Sequence, residues 1–377
     1  MKLTNLVFVF GALFASQCFC QSLSLQVENT LDFNRKGEIV EVELAPLRTV
    51  FGRDSYVLQN SDGKEISYQK TIIKGKKCLI FQADVAAKSV AVYTFLKGQP
   101  AAATVKTTAR FVPERRDDFA WENDIAAWRM YGPALEQIEN PSNGIDIWMK
   151  YRETPVMDSL YAGDRQGLPY HEDNGLGGFD CYDVGHTLGA GGQALYAYDK
   201  IWIGETFDHY HIIETGPLRS SFMLTYDTVK VGDVYYKAVL TITTDAGSIL
   251  NRASVTYEGI DTYIKIATGI FMHRDSVNTV FDKANKTLAY TKNITTNRGV
   301  RKGQTYLGLY VPESDNEPFY ANKQFVVLSD YQIGKSFVYY FGGVWNGWKY
   351  KTETEWLKAL EEFSQTRRTP LKVSFLH

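Results

Sequence analysis

From Leu23 to about Lys97 the chain is a series of short runs in which apolar and polar positions alternate, at residues 39–44, 55–59, 66–73, 78–82 and 90–96. A period of two is the mark of strands with one buried face, and turn-forming pieces such as Ser61-Asp62-Gly63 separate the runs. The pattern predicts a small antiparallel β-sandwich. Gly98-Gln99-Pro100-Ala101-Ala102-Ala103 carries no such period, so the boundary is expected there, with residues 21–104 in the first unit and 105–377 in the second. Beyond Thr107 strand-like runs resume at 145–150, 221–226, 239–244, 262–270, 305–311, 325–328 and 336–341. They predict a mostly β protein whose second unit is a large antiparallel β-sandwich. One stretch has a helical period: residues 355–364 place Trp356, Leu357, Leu360 and Phe363 on one stripe, before Pro370 and a final strand-like run at 371–375.

The first twenty residues fit neither pattern. Lys2, an apolar run over 6–14, and the small residues Cys18 and Cys20 before Gln21 read as an export signal, so the mature chain is expected to be periplasmic or secreted. That run is too short to span a bilayer, and no later stretch approaches the roughly 18 apolar residues a span requires. With the signal removed, only Cys78 and Cys181 are left. One bridge could form, although Cys78 within Lys77-Cys78-Leu79-Ile80-Phe81 reads as a buried strand residue. Asn285-Lys286-Thr287 and Asn293-Ile294-Thr295 match the glycosylation pattern, which is a weak signal.

Composition narrows the function classes. The 377 residues are 44% hydrophobic and 22% charged, which excludes disorder. Lys plus Arg number 41 against 43 Asp plus Glu, so no global positive field favours nucleic acid. The 24 Tyr, 21 Phe and 7 Trp suit strands and also the faces of sugar rings.

Five of the six His lie between His171 and His273. His is the side chain best placed for proton transfer near neutral pH, so the chemistry is sought there. The densest segment runs from Pro169 through Tyr170-His171-Glu172-Asp173-Asn174 and Asp180 to His186, followed by Gly189-Ala190-Gly191-Gly192. It reads as an active-site loop, with a structural Ω-loop as the alternative. No Lys or helix follows in the manner of a phosphate loop, so nucleotide binding is rejected. A second segment contains Glu122, Asn123, Asp124, Arg129 and Tyr131. If it is a strand, Arg129 and Tyr131 share a face, aligning a carboxylate-binding fork with a phenol whose pKa a cation can lower. The alternative is a surface ion pair from Arg129 to Glu122 or Asp124. A third segment places His209 and His211 on one strand face, as ligands or as a base and its orienting partner. His171, Asp173, His209 and His211 are the possible metal ligands, but no motif fixes them and no cofactor is required.

At these residues the chain resembles a family of secreted proteins from bacterial polysaccharide-utilisation loci catalogued as a domain of unknown function. The resemblance is carried by Trp121-Glu122-Asn123-Asp124, Arg129-Met130-Tyr131-Gly132-Pro133, Tyr170-His171-Glu172-Asp173, Val184-Gly185 with the following glycines, and Gly342-Gly343-Val344-Trp345. One member, acting in ulvan breakdown, is an oligosaccharide dehydratase that removes water from a non-reducing-end uronic acid. Ile125 and Leu176 depart from the family pattern, at positions where Arg and an acidic residue are expected. The resemblance implies an activity class, and the elimination itself needs a group on the uronate carboxylate, a base and an acid, roles assigned to Arg129, to His171 or Tyr131 taking the C5 proton, and to His211 protonating the departing hydroxyl. Glu122, Asn123, Asp124, Asp173, Asp180, His186, His209 and Trp345 would bind or orient the substrate. A polysaccharide lyase would use nearly the same groups. A glycoside hydrolase would need two carboxylates about 5 Å or roughly 6.5–9.5 Å apart. A sugar-binding protein would need only the aromatic surfaces.

Overall fold

The computed structural model describes residues 21–138, 143–294, 303–315 and 317–376. The expected export signal and Thr295 of the second glycosylation pattern lie outside the described residues. Asn285 of the first is buried, and its side chain bonds Asp282, Ser364 and Arg368.

The architecture is mostly β, as the alternation predicts: a small sandwich followed by a large antiparallel one with a helix near the C-terminus. In the small unit one sheet has the order Lys372–Phe375, Ser22–Asn29, Ser89–Lys97, Tyr56–Asn60, and the other Arg35–Glu43, Lys76–Val85, Tyr68–Ile73. Alternate residues of both sheets, among them Leu25, Val27, Phe95, Val42, Leu79 and Phe81, meet in one apolar cluster. Cys78 is buried in the Lys76–Val85 strand, and both Cys78 and Cys181 are free thiols.

Two features depart from the expected division. Helix Leu44–Phe51 continues directly from a strand and buries Leu47 and Phe51 in the same cluster. The last strand, Lys372–Phe375, assigned by sequence to the large unit, pairs instead with the first strand, setting Leu25 opposite Phe375. Residues 22–97 and 372–375 therefore build the small sandwich together, so the expected boundary at residue 104 does not leave residues 372–375 in the second unit.

The large unit centres on an eight-stranded antiparallel sheet in the order His209–Glu214, Arg219–Val231, Val234–Asp245, Asn251–Glu258, Phe337–Trp345, Gln304–Tyr310, Thr287–Asn293, Ser276–Asp282. Two five-stranded sheets share its core, through Phe119, Trp121, Trp128, Ile147 and Met149 on one side and Leu195, Ile266 and Phe325 on the other. The helix spans Glu353–Arg368, longer than the apolar stripe alone implies, because Thr352 and Glu355 form a reciprocal cap at its start. Trp356, Leu360 and Phe363 are its buried face. Among the described residues no helix is long and apolar enough to cross a membrane.

The glycines at 189–192, expected in an exposed loop, are buried. Gly189 has φ +65°, and a side chain there would collide with the Ile145 carbonyl, while Gly191 lies against Leu309 and Phe341. Close packing accounts for this run.

Candidate active site

One five-stranded sheet, with strands Gly178–Asp180, Asp146–Lys150, Ala126–Met130, Asp118–Glu122 and Thr108–Val112 in that order, carries two opposite chemistries on its two faces. Phe119, Trp121, Trp128, Met130, Ile147, Met149 and Phe179 point into the main core. The opposite face carries Asp118, Glu122, Arg129, Asp146, Lys150 and Asp180, each no more than 3% exposed, interspersed with Ala120, Ala127 and Trp148. Helix Met157–Arg165 and the chain that follows cover this charged face, with Leu160, Tyr161 and Tyr170 packed on Ala120, Ala127 and Trp148. Buried charges survive only when paired, and here the pairing is dense.

Register places Arg129 opposite Asp146. Its Nε donates to Asp146 Oδ2 at 2.6 Å, its Nη1 to the Tyr170 hydroxyl at 3.1 Å, and its Nη2 to Asp180 Oδ2 at 3.2 Å and the Tyr131 hydroxyl at 3.3 Å. Asp118 lies 3.6 Å away, and the rings of Tyr131, Trp148 and Tyr170 surround the guanidinium at 4.7–5.1 Å. Arg129 thus donates to two carboxylates and two tyrosine hydroxyls of the protein itself and is 2% exposed. This corrects the surface-pair alternative with Glu122 or Asp124, and a substrate carboxylate at Arg129 would have to compete with these partners. Burial and the neighbouring Asp180 push the Asp146 carboxyl up to about 7 against the pull of Arg129. Desolvation also raises the Tyr131 phenol well above 10, outweighing Arg129, the opposite of the lowering expected from a neighbouring cation.

His171 is where this array reaches solvent. Its side chain is 50% exposed, and Nδ1 lies 3.3 Å from Asp180 Oδ2, the oxygen that also accepts from Arg129. Asp180 is itself fixed, because its other oxygen accepts from the Tyr182 amide at 3.1 Å. Among the described residues Nε2 of His171 has no hydrogen-bond partner. The bond to Asp180 raises the His171 pKa above 6.5 despite partial desolvation. A buried carboxylate that orients an imidazole and leaves its second nitrogen outward is a general acid–base arrangement.

His273 is the contrast. Burial and Lys292 lower its pKa, while Nε2 lies 2.7 Å from the Asp183 carbonyl. Following the histidine ring signals by NMR across pH 5–8 should therefore show His171 titrating above the ordinary 6.5 and His273 below it. Since the His171 value is raised on folding, its contribution to stability is complete below 6.5 and is lost as pH rises through the folded-state value. Asp180→Asn should return the His171 midpoint toward 6.5, and a midpoint unmoved by that change would break the assigned pairing.

The other expected site residues divide sharply. Glu122 accepts from Lys150 at 2.6 Å and from the Val156 and Met157 amides, fixing the start of helix Met157–Arg165. Asn123 caps the hairpin turn and bonds the Asp245 and Ser248 carbonyls, and Asp124 accepts from the Gly247 amide. All three are buried, with these partners inside the framework in place of the expected substrate contacts. Asp173 accepts from Tyr151 at 2.5 Å, and Tyr151 meets the edge of Trp345, so Asp173 and Trp345 belong to one buttress of the loop. His186 is exposed near the buried glycines. His209 pairs with Asp227 at 3.3 Å, and His211 is exposed on the same edge strand of the eight-stranded sheet. No contact of His171 or Arg129 reaches either, so the role given to His211 as acid is not supported by its position. His171, Asp173, His209 and His211 do not converge, and among the described residues no group of three His, Cys, Asp or Glu is arranged for a metal ion.

Sequence reasoning missed Asp118, Asp146, Lys150 and Arg115, and it gave Tyr170 no role of its own. The signal was present in Asp118-Phe119-Ala120-Trp121-Glu122 and Asp146-Ile147-Trp148-Met149-Lys150, where charges recur at strand parity between large apolar residues. Arg115 donates from Nε to the Tyr170 hydroxyl at 3.2 Å, while its Nη1 lies 3.8 Å from Asp118 and has no hydrogen-bond acceptor among the described residues.

A protein of Formosa agariphila named Uncharacterized protein P7 is 28% identical over 401 aligned residues, covering 98% of each chain. A glycosyl hydrolase family 38 protein from Enterococcus faecalis is similar with a TM-score of 0.48 at 9% identity, over 95% of this chain and 48% of that one. An α-mannosidase from Enterococcus faecalis V583 gives 0.47 at 9% identity, over 95% and 46%. The chain spans about half the length of these two structures. The family described as domain of unknown function DUF4861 matches residues 27–373, from the first strand of the small sandwich to the strand that returns to it, and the chain belongs to that family.

Proposed function

We propose that the protein is an exported carbohydrate-active enzyme that eliminates water from the non-reducing-end uronate of an oligosaccharide, of the kind met in ulvan breakdown. The observation that carries this reading is His171, half exposed, with Nδ1 held by the buried Asp180 and Nε2 facing outward. In the elimination Nε2 takes the C5 proton, the C5–H electron pair forms the C4=C5 double bond, and the C4–O bond breaks. The same proton returns to the departing oxygen, so water leaves and the imidazole is restored. One imidazole serves both steps when the C5 hydrogen and the C4 oxygen lie on one face of the ring. Charge building on the substrate carboxylate needs a donor, and Arg129 is already spent. Arg115, partly exposed and joined to Arg129 through the Tyr170 hydroxyl, takes that role.

Incubating the mature protein with a panel of uronic-acid-ended oligosaccharides, with near-ultraviolet absorbance and product mass recorded together, tests the reading. Rising absorbance with loss of one water and no shortening is the expected result. Absorbance with shortening would make the protein a lyase, shortening without absorbance a hydrolase, and no change across the panel a binding protein.

A further inference from the structure

A second cluster of cations lies away from His171, on the outer face of the eight-stranded sheet. Ser221 pairs with Thr243, Thr243 with Arg252, Arg252 with Tyr340 and Tyr340 with Tyr310. Directly paired residues of antiparallel strands share a face, so these side chains form one row across the sheet. A cavity of about 470 Å³ opens over this row between the small sandwich and the C-terminal helix. That volume falls in the range of roughly 300–1,000 Å³ usual for ligand clefts.

Four cations line it, Lys74, Arg219, Arg252 and Arg367, against two carboxylates, Glu41 and Asp245. Arg219 consumes both carboxylates, binding Asp245 at 2.6 and 2.9 Å and Glu41 at 2.8 Å. Arg367 pairs with Glu38 at 2.9 Å. Arg252 and Lys74 are exposed and have no hydrogen bond or ion pair among the described residues, so the surplus positive charge of the cavity resides on them. Beside Arg252 stands Tyr340, half-buried, with its ring stacked on Tyr310 at 5.5 Å and edge-on to Phe363 at 5.4 Å.

We infer that this cavity is a second saccharide site, which binds an acidic sugar through its carboxylate or sulfate. A free guanidinium offers a planar fork that matches either group, Lys74 adds a point charge from the facing unit, and Tyr340 and Thr243 supply a ring-sized aromatic wall and a hydroxyl. Its separation from the His171 array gives it the role of holding a longer acidic chain rather than transforming it. The inference is independent of the reaction assigned to His171.

Calorimetric titration with a hyaluronan tetrasaccharide, a chondroitin sulfate tetrasaccharide and neutral chitotetraose tests it. Both acidic probes should bind wild type, more weakly as salt rises, and chitotetraose should not. The double variant Arg252→Gln/Lys74→Gln should weaken acidic binding by about tenfold or more. Both positions are exposed, and an unchanged thermal midpoint certifies the fold of the variant. Equal binding of the two acidic probes assigns the carboxylate, and preference for chondroitin sulfate assigns the sulfate. Wild-type affinity in the double variant, equal binding of chitotetraose, or no acidic binding by wild type would each overturn the inference.

Discussion

His171→Ala is expected to lower turnover by roughly 100-fold or more, the usual share of a positioned acid–base group, with little change in stability. The side chain is half exposed, and its removal leaves Asp180 still accepting from Arg129 and the Tyr182 amide, so no buried charge is abandoned. Turnover on the substrate found in the panel assay, measured beside the thermal midpoint, separates the two effects. A large fall in the midpoint would mean that His171 supports the fold, and unchanged turnover would remove it from the mechanism. The pH profile adds a signature: because Asp180 raises the imidazole pKa, the neutral base fills in only above 6.5, so the acidic limb of kcat/KM should lie there.

Arg129→Met should produce the opposite pattern, a severe loss of stability. The substitution leaves Asp146, Asp180 and Asp118 facing one another in a space closed to water, with Arg115 as the nearest cation. Breaking a buried pair in this way costs about 3–5 kcal/mol, a large part of the roughly 5–15 kcal/mol that holds a domain together. Urea unfolding should show an early transition or no folded baseline. Arg129→Lys keeps the charge but cannot reach Asp146, Asp180 and two tyrosine hydroxyls at once, so it should fall between. Adding Asp146→Asn to Arg129→Met removes one abandoned carboxylate and should recover part of the loss, a coupling that a ligand-binding arginine would not show. A raised KM with an unchanged midpoint would return Arg129 to the substrate.

The framework was legible where burial alone sets the pattern. Alternation located most strands of both sandwiches, and the stripe of Trp356, Leu360 and Phe363 located the last helix. It failed at Leu44–Phe51, where Pro46 and a run of apolar residues continue a strand without a period of their own, and at Met157–Arg165, where Asp158, Asp164 and Arg165 blur the apolar stripe and no helix was singled out. In the site, His171 and Asp180 stood out by residue type and density, and the structure pairs them. Arg129 stood out as well, but its partners Asp146 and Asp118 lie on other strands and become neighbours only through sheet register. Local sequence shows that an arginine shares a face with a tyrosine. It does not show that three carboxylates from three other strands have already claimed the charge. The same limit explains Glu122, Asn123 and Asp124, whose polarity suggests a ligand and whose actual partners are backbone amides and carbonyls distant in sequence.

The pairing of Lys372–Phe375 with Ser22–Asn29 sets an order on assembly. Residues 22–97 are synthesised well before residues 372–375, and until that later segment arrives the Ser22–Asn29 strand is itself the edge of its sheet. Through that interval the Ser22–Asn29 strand exposes unpaired amides and carbonyls to other copies, and the short strand Lys372–Phe375 takes over that edge. A lesion within residues 372–375 would therefore first be felt at residues 22–29, far away in sequence.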